Sequence, residues 1–204
     1  MPPAALHGGE PASPWVQRWS HLVPTQGTVL DVACGLGRHL RWFAQHGHPV
    51  VGVDRSAEAS DVVAQLGEVH VADIEAGPWP FAGRRFACVV VTNYLWRPLL
   101  PTLIDSVEEG GVLIYETFAA GNETVGKPSR PDFLLQPGEL LQACAGLRVV
   151  AYEDGYLDAP ERFVQRIAAI RQPSTTGPHR HRLQAAPGTD GQGFKMPVSP
   201  RKPT

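Results

Sequence analysis

The residues whose types and spacing suggest chemistry begin with a ten-residue segment, Val29–Arg38, which reads V-L-D-V-A-C-G-L-G-R. An apolar run that contains one acid, Asp31, leads into two glycines, Gly35 and Gly37, and then into a helical pattern. Glycine permits positive φ and a close approach of the backbone to a ligand, and a helix start offers N–H groups without partners inside the helix. The segment therefore predicts a turn that binds a nucleotide-type ligand at the end of a strand.

Two features of this turn favour a cationic ligand over a dinucleotide. A dinucleotide fold needs a third glycine three residues after the second, and Leu40 stands at that position. The carboxylate of Asp31 would repel a pyrophosphate, whereas it would attract the amine and the sulfonium of S-adenosylmethionine (SAM), which has no phosphate. The segment therefore predicts SAM as the ligand.

Two further acids follow the next two predicted strands. Asp54 lies 17 residues beyond Gly37, near the separation at which an acid accepts hydrogen bonds from the ribose hydroxyls in dinucleotide folds. Asp73 follows the third strand, where a carboxylate can accept from the adenine amino group while Ile74 packs on the base. The predicted cofactor contacts, which include neighbours of these residues, are Asp31, Ala33, Gly35, Gly37, Asp54, Arg55, Asp73, Ile74 and Asn93.

Alternating strands and helices position these residues. Apolar and β-branched runs predict seven strands, at 28–33, 49–53, 68–72, 86–92, 112–118, 147–152 and 161–171. Helical spacing with capping and stop residues predicts helices at 13–23, 36–46, 57–66, 98–109 and 137–145. This alternation predicts an α/β fold, a Rossmann-like seven-stranded and mostly parallel sheet with helices on both faces. The last two strands are expected to form an antiparallel hairpin across 154–160.

One domain is predicted at residues 13–171, between a flexible N-terminus at 1–12 and a disordered basic tail at 172–204. A chain of 204 residues suits one α/β domain, and 43% hydrophobic residues suffice for its core. The tail has five basic residues and one acid, so its formal charge is +4. Because the net charge of the whole chain is −2, the preceding residues carry −6. Its prolines and glycines, without periodicity, predict disorder.

The cysteines and the hydropathy pattern indicate the compartment. Three cysteines that are not close in sequence are typical of a reduced cytoplasmic protein rather than of a disulfide scaffold or a zinc site. No apolar run approaches the roughly 20 residues of a membrane helix, and residues 1–14 lack the pattern of a secretory signal. We therefore expect a cytoplasmic protein without a metal ion or a membrane contact; the oligomeric state is not set by the sequence.

The three acid-containing segments resemble the motifs of class I SAM-dependent methyltransferases. V-L-D-V-A-C-G-L-G-R resembles motif I of that superfamily, V-G-V-D-R-S its second motif and V-A-D-I its adenine-binding turn, over about residues 27–119. The resemblance implies a Rossmann-like methyltransferase fold and SAM as the cofactor. It also implies that Asp31, Gly35 and Gly37 bind the methionine part of SAM. It implies that Asp54 binds the ribose, and that Asp73 and Ile74 bind the adenine.

Two shorter strings resemble the small tellurite-resistance-type methyltransferases in particular. They are A-C-G-L-G-R-H at 33–39 and F-L-L-Q-P-G-E-L-L at 133–141. The sequence departs from many relatives at the start of strand four, where Phe86-Ala87 stands in place of Phe-Asp. Because that acid is usually a surface or strand-edge feature, we expect activity without it.

The segment after strand four, 93–97, is where the transferred methyl group should face its acceptor. It lacks the prolines of the Asn/Asp-Pro-Pro-aromatic string with which nucleobase amino-methyltransferases clamp a flipped base, and it has no cysteine for the covalent adduct of cytosine-C5 enzymes. Tyr94, Trp96 and Arg97 are the predicted acceptor contacts, with Arg97 suited to an anion. The long polar segment 116–131 is expected at the same edge as a lid or acceptor loop. No catalytic base is identified.

The prediction from the sequence is SAM-dependent methyl transfer to a small molecule or a metalloid oxyanion. A single domain without an added recognition module favours a small acceptor, and an acidic body would repel RNA. Two alternatives stay open: a protein or RNA methyltransferase that uses the basic tail, and a non-catalytic SAM-binding regulatory module. A nicotinamide oxidoreductase on the same fold is disfavoured by Leu40 and Asp31.

Overall fold

The structure, a computed structural model, describes residues 10–174 and 179–185. Its strands are β1 (Val29–Val32), β2 (Val50–Asp54), β3 (Glu68–Val71), β4 (Phe86–Thr92), β5 (Val107–Phe118), β6 (Arg148–Asp158) and β7 (Glu161–Ile170). Its α-helices are α1 (Pro14–Trp19), α2 (Arg38–Gln45), α3 (Ala57–Val63), α4 (Leu100–Asp105) and α5 (Glu139–Ala143). Within the described residues, none of the helices combines the length and the hydropathy that a membrane crossing requires.

The seven strands form one sheet in the order β3-β2-β1-β4-β5-β7-β6. β1 to β5 pair in parallel, whereas β7 pairs antiparallel with both β5 and β6. The chain starts in the middle, moves outward to β3 and returns to β4, so the strand order reverses between β1 and β4. Open α/β sheets bind ligands at the carboxyl ends of the strands beside such a reversal. The predicted Rossmann-like sheet with a terminal antiparallel hairpin is confirmed.

Each face of the sheet carries its own hydrophobic core. On one face, Trp15 and Trp19 of α1 pack with Phe43 of α2. On the other face, Leu103 of α4 and Leu140 of α5 pack against the sheet. β1 and most of β4 are buried on both faces, which accounts for their near-continuous apolar sequences.

The predicted helix at 98–109 is too long. α4 ends at Asp105, and β5 begins at Val107, so residues 107–111 belong to a strand. Val107 is fully buried and pairs with Phe86 of β4, with a register shift before the next pair. Burial of Val107 and its pairing outweigh the helical pattern, and Gly110 takes a positive φ of 81° inside the strand instead of ending a helix.

The observed hairpin turn is also shorter than the predicted one. β6 continues to Asp158, which pairs with Glu161, so only Ala159 and Pro160 lie between the two strands. The prediction placed the turn across 154–160 because this stretch is polar. A strand at the edge of a sheet tolerates polar residues, and most of the second half of β6 is exposed.

The two chain ends lie only partly within the described residues. Residues 1–9 of the predicted N-terminus, and 175–178 and 186–204 of the predicted tail, fall outside them. Two described pieces of the tail contact the domain: Ser174 Oγ lies 3.0 Å from Glu109 Oε1, and the carbonyl of Arg182 lies 3.0 Å from Nε2 of His21. The boundaries of the flexible ends stay a prediction.

Candidate active site

The turn between β1 and α2 has a backbone conformation that only small residues adopt easily. Ala33, Gly35 and Gly37 have positive φ values of 53°, 50° and 72°. A Cβ added to Gly35 would meet no atom within 4 Å, whereas one added to Gly37 would lie 2.3 Å from Cγ1 of Val63 in α3. Gly35 therefore leaves room for a ligand, and Gly37 is needed for the packing of α2 against α3.

A cleft of about 330 Å³ lies beside this turn, at the carboxyl ends of β1 and β4. Its walls are residues 33–37, the start of α2 and residues 92–94, and Glu10 lines it as well. The volume lies at the lower end of the range of small-molecule sites. The structure thus brings the predicted residues Ala33, Gly35, Gly37, Asn93 and Tyr94 together. A depression of about 460 Å³ at the opposite edge of the sheet, beside Arg85 and Arg148, lies far from these strand ends.

Asp31 in β1 is a buried acid beside the cleft, with only 1% of its surface exposed. Its Oδ2 has no hydrogen-bond partner among the described residues, and the nearest ring nitrogen, Nδ1 of His39, is 3.6 Å away. Burial of an acceptor without a partner is costly, and a cationic ligand would remove that cost. The chemistry of this acid is compatible with the positively charged end of SAM, and its predicted role stays a prediction.

Cys34 follows the same strand and is a packing residue. Burial, and then the negative charges of Asp31 and Asp54, raise the pKa of its thiol well above the ordinary range. Its sulfur fills the space beside Gly52 of β2, where an added Cβ would come within 2.9 Å of it. A thiol that stays protonated is a poor nucleophile, so Cys34 is unsuited to covalent chemistry.

Asp54 closes β2 and holds the turn after β1. Its Oδ2 accepts a hydrogen bond from the N–H of Gly35 (2.8 Å), and its Oδ1 accepts from the N–H of Ser56 (2.9 Å). Each carboxylate oxygen can accept a second hydrogen bond. The carboxylate is therefore fixed beside the cleft with capacity for ribose hydroxyls, which agrees with its predicted role.

Asp73 lies in an exposed turn after β3. Its Oδ1 accepts from the N–H groups of Glu75 (3.0 Å) and Ala76 (3.1 Å). These bonds, first the one from Ala76, lower the pKa of its carboxyl, and the charge of Arg55 lowers it further. Ile74 beside it packs against the core on the α4 face. The turn thus presents a fixed carboxylate next to an apolar side chain, the arrangement that was predicted for adenine.

The residues after β4 bend sharply at Asn93. Asn93 has a positive φ of 54°, and its N–H donates to the carbonyl of Glu116 (2.9 Å). Tyr94 is half-buried, and its buried hydroxyl lies near the carboxylate of Glu75. Burial and then the charge of Glu75 raise the pKa of Tyr94. Because Glu75 belongs to the turn after β3, the phenol lies toward the predicted adenine side as well as toward the predicted acceptor side.

Arg97 holds a loop in place. Its guanidinium donates to both carboxylate oxygens of Glu139 (2.7 and 2.9 Å) and to the carbonyls of Asp132 and Leu134 (2.8 Å each). These bonds tie the segment before α5 to the end of β4 and use most of the donors that an anionic acceptor would need. Trp96, the remaining predicted acceptor contact, is half-buried and packs against the core on the same face.

A buried polar cluster beside the cleft was not predicted. The N–H of Ser13 donates to Nε2 of His39 (3.3 Å), and the Ser13 hydroxyl donates to Oε1 of Glu116 (2.9 Å). Glu116, expected at the start of a lid, is instead buried in β5 and pairs with Arg166 (3.1 Å). Helical spacing carried a signal for His39, because it lies four residues before the buried Phe43 on the same face of α2.

Comparison with a family model decides what kind of domain holds this cleft. The model of the methyltransferase domain matches residues 29–110, from β1 to the first part of β5. Residues 29–110 are thus similar to a methyltransferase domain. This match supports the predicted superfamily, the predicted enzyme class and SAM as the predicted cofactor. A search of curated proteins finds no match.

Solved structures of other methyltransferases share this fold. TehB from Haemophilus influenzae is 18% identical with a TM-score of 0.61, over 76% of this chain and 60% of that chain. A TehB-like SAM-dependent methyltransferase from Corynebacterium glutamicum is 17% identical with a TM-score of 0.59, over 80% and 90%. One from Methanosarcina mazei is 14% identical with a TM-score of 0.60, over 80% and 100%. The chain thus spans less than two thirds of the Haemophilus TehB chain, and these identities establish the fold only.

Proposed function

We propose that this protein transfers the methyl group of SAM to a small molecule or a metalloid oxyanion. The observation that carries the proposal is the buried carboxylate of Asp31, whose Oδ2 has no hydrogen-bond partner among the described residues. Asp31 lies four residues before Gly35 in the chain, and a Cβ added to Gly35 would meet no atom within 4 Å. A buried anion next to a space for a ligand favours a cationic ligand over a phosphate.

Acids at the ends of three consecutive strands would divide the binding of SAM among them. Asp31 would face the cationic amine and sulfonium, Asp54 would accept from the ribose hydroxyls, and Asp73 with Ile74 would bind the adenine. Arg55 follows Asp54 in the chain, and Asn93 follows β4 and lines the cleft. Asp54 also shapes the turn itself, because it holds the N–H of Gly35.

The protein needs to supply little beyond position and charge. When bound, SAM supplies a methyl group on a positively charged sulfur that a nucleophile can displace. Positioning of two reactants contributes much of the rate in such a reaction. Tyr94 has a raised pKa and keeps its proton at neutral pH, so it is suited to donate a hydrogen bond rather than to act as a base.

One observation supports a small acceptor. The residues before the tail carry a formal charge of −6, which disfavours the binding of nucleic acid. Tyr94 and Trp96 are the proposed borders of the acceptor side. Arg97 is a weaker candidate for an anion because Glu139 already neutralises it.

Calorimetric titration with SAM, S-adenosylhomocysteine and NAD tests the cofactor assignment. The wild type should bind both adenosyl ligands and should not bind NAD. Asp31→Asn keeps the shape of the side chain but removes its charge, so it should lower the affinity for SAM by about 10-fold or more. It should lower the affinity for S-adenosylhomocysteine less, because the sulfur of that ligand is neutral. Asp105→Asn changes an exposed acid at the opposite edge and should leave both affinities unchanged. Binding of NAD but not of SAM would refute the proposal.

Transfer of a labelled methyl group tests the acceptor class. Purified protein with methyl-labelled SAM is incubated with tellurite, selenite, small thiols and small amines, and the volatile and soluble products are identified by mass spectrometry. Label in a small product supports the proposal. Label in protein or RNA instead, lost when the chain is truncated after Arg171, would establish the alternative in which the basic tail recruits a macromolecule. Tight SAM binding without any product would establish a regulatory module.

A further inference from the structure

Residues 10–13, which we name the N-terminal strap, border the proposed SAM cleft. Glu10 lines the cleft, and its Oε2 lies 3.4 Å from Nη1 of Arg38 at the start of α2. Ala12 and Ser13 are each only 4% exposed. Ser13 ends the strap with two bonds, from its N–H to Nε2 of His39 and from its hydroxyl to Glu116. The strap is thus seated on residues of α2 and β5 that surround the cleft.

His39 contacts both the strap and the acid of the cleft. Its Nε2 accepts from the Ser13 N–H at 3.3 Å, which places the proton of the neutral ring on Nδ1. Nδ1 lies 3.6 Å from Oδ2 of Asp31 and so directs its N–H at the carboxylate. The ring is 2% exposed and Asp31 is 1% exposed, so water does not screen this contact.

The separation between His39 and Asp31 is longer than a hydrogen bond. A distance of 3.6 Å leaves Oδ2 unsatisfied among the described residues, because good N–H···O bonds are about 2.7–3.2 Å. A small shift of the carboxylate or of the ring would close this gap. A ligand that orients the carboxylate would therefore also affect how firmly the ring holds Ser13.

We propose that His39 is a positioning residue that couples SAM binding at Asp31 to the seating of the N-terminal strap over the cleft. This inference rests on the proposed function, because it takes SAM as the ligand of Asp31. Coupling between two sites is reciprocal. SAM therefore seats the strap more firmly, and a seated strap raises the affinity for SAM.

Two substitutions separate the two contacts of the ring. In His39→Asn the amide nitrogen falls near the position of Nδ1, so the donor toward Asp31 is kept and the acceptor for Ser13 is lost. In His39→Gln the amide reaches the position of Nε2, so the acceptor for Ser13 is kept and the donor toward Asp31 is lost. A residue that only fills space would give the same result in both variants.

The experiment combines calorimetry with amide hydrogen exchange of Ser13, each without and with saturating SAM, after thermal melts have shown that the variants fold. In the wild type, SAM should slow the exchange of the Ser13 amide by on the order of 10-fold. His39→Asn should exchange rapidly in both states and bind SAM on the order of 10-fold more weakly, because its strap is not seated. His39→Gln should retain slow exchange without SAM, bind SAM on the order of 10-fold more weakly and lose the response of Ser13.

Three outcomes would overturn the coupling. These are an unchanged Ser13 exchange rate in the SAM-bound wild type, equal effects of the two substitutions on both readouts, or normal SAM affinity in His39→Gln. The wild-type exchange measurement decides the matter where either variant fails to fold. A wild type that does not bind SAM would refute the proposed function itself, whereas normal binding without a split between the variants refutes the coupling alone.

Discussion

Asp54 at the end of β2 accepts a hydrogen bond from the backbone N–H of Gly35 in the turn after β1, at 2.8 Å. One carboxylate therefore both shapes the turn and borders the cleft. This double use makes the turn sensitive to a residue 19 positions away in sequence.

A graded series at Asp54 should separate these two uses. Asp54→Asn keeps one acceptor oxygen for either Gly35 or Ser56, and Asp54→Ala keeps neither. Because hydrogen bonds to a charged group contribute about 1.5–3 kcal/mol, we expect SAM affinity to fall by roughly 10-fold in the first variant and about 100-fold in the second. Calorimetry measures the affinities and thermal melts the accompanying loss of stability. Equal binding by all three proteins would exclude Asp54 from the site.

Ala33 should tolerate glycine and reject valine. Its φ of 53° lies in the left-handed region, which costs roughly 1–2 kcal/mol for a residue with a Cβ and more for a β-branched one. Ala33→Gly relieves that strain but loses about 0.5–1 kcal/mol to chain entropy, so its free energy of unfolding should change little. Ala33→Val should lower the free energy of unfolding by about 2 kcal/mol or more and should lower the affinity for SAM. Denaturant melts and SAM titrations check both variants, and a stable Ala33→Val protein would contradict the assignment.

Gly35 and Gly37 should respond differently to alanine. Gly35→Ala meets open space and carries only the cost of positive φ, about 1–2 kcal/mol. Gly37→Ala adds a clash with Cγ1 of Val63, typically another 1–3 kcal/mol. The clash predicts that Gly37→Ala is less damaging in a Val63→Ala background than in the wild type, with a coupling of about 0.5–3 kcal/mol. Additive effects in that double-mutant cycle would argue against the contact.

The Arg97–Glu139 pair should make the stability of the protein depend on pH in the acidic range. Burial by itself would raise the pKa of Glu139, but the bonds from Arg97 and from the N–H of Gln136 outweigh it, and the pKa is lowered. Because the pKa of Glu139 is lower in the folded than in the unfolded state, the carboxylate stabilises the folded protein at pH values above the unfolded-state pKa of about 4.3. This contribution disappears as the pH falls through the pKa of the folded state. Thermal melts from pH 7 to pH 3 should therefore show a difference between the wild type and Glu139→Gln that shrinks toward acid.

The control for this pair is Asp61→Asn, at an exposed position beyond the first turn of α3. Its melting temperature should follow that of the wild type across the range. A difference between the wild type and Glu139→Gln that grows as the pH falls would have the wrong sign for a lowered pKa.

Local sequence was sufficient for the framework of the site. Asp31 lies near the end of β1, Asp54 ends β2 and Asp73 follows β3, and parallel strands bring their carboxyl ends to one edge. The glycines between β1 and α2 predicted the turn because their conformational freedom is a local property. What the pattern could not distinguish was the task of each glycine, since the contact between Gly37 and Val63 depends on how two helices pack.

Contacts between distant residues escaped prediction. The bond from Ser13 to His39 spans 26 positions and that from Arg97 to Glu139 spans 42. Whether a polar side chain at the lip of a cleft is free or already paired depends on these partners, which composition and periodicity do not reveal. For the same reason, the sequence pattern predicts helix for residues 107–109, because it does not reveal that Val107 pairs with Phe86 of β4.

The antiparallel strand β7 lies between β5 and β6, so the last strand in sequence fills an inner position of the sheet. A ribosome delivers β1 to β5 first, and β5 then waits with one unpaired edge until residues 161–170 emerge. The same event brings Arg166 to Glu116 and thereby completes the buried polar cluster that seats Ser13. A nascent chain stalled before Glu161 would hold its central acids and glycines but would expose an open strand edge, which is a template for aggregation. The completed polar cluster beside the cleft and the protection from aggregation would therefore arise together, when β7 joins the sheet.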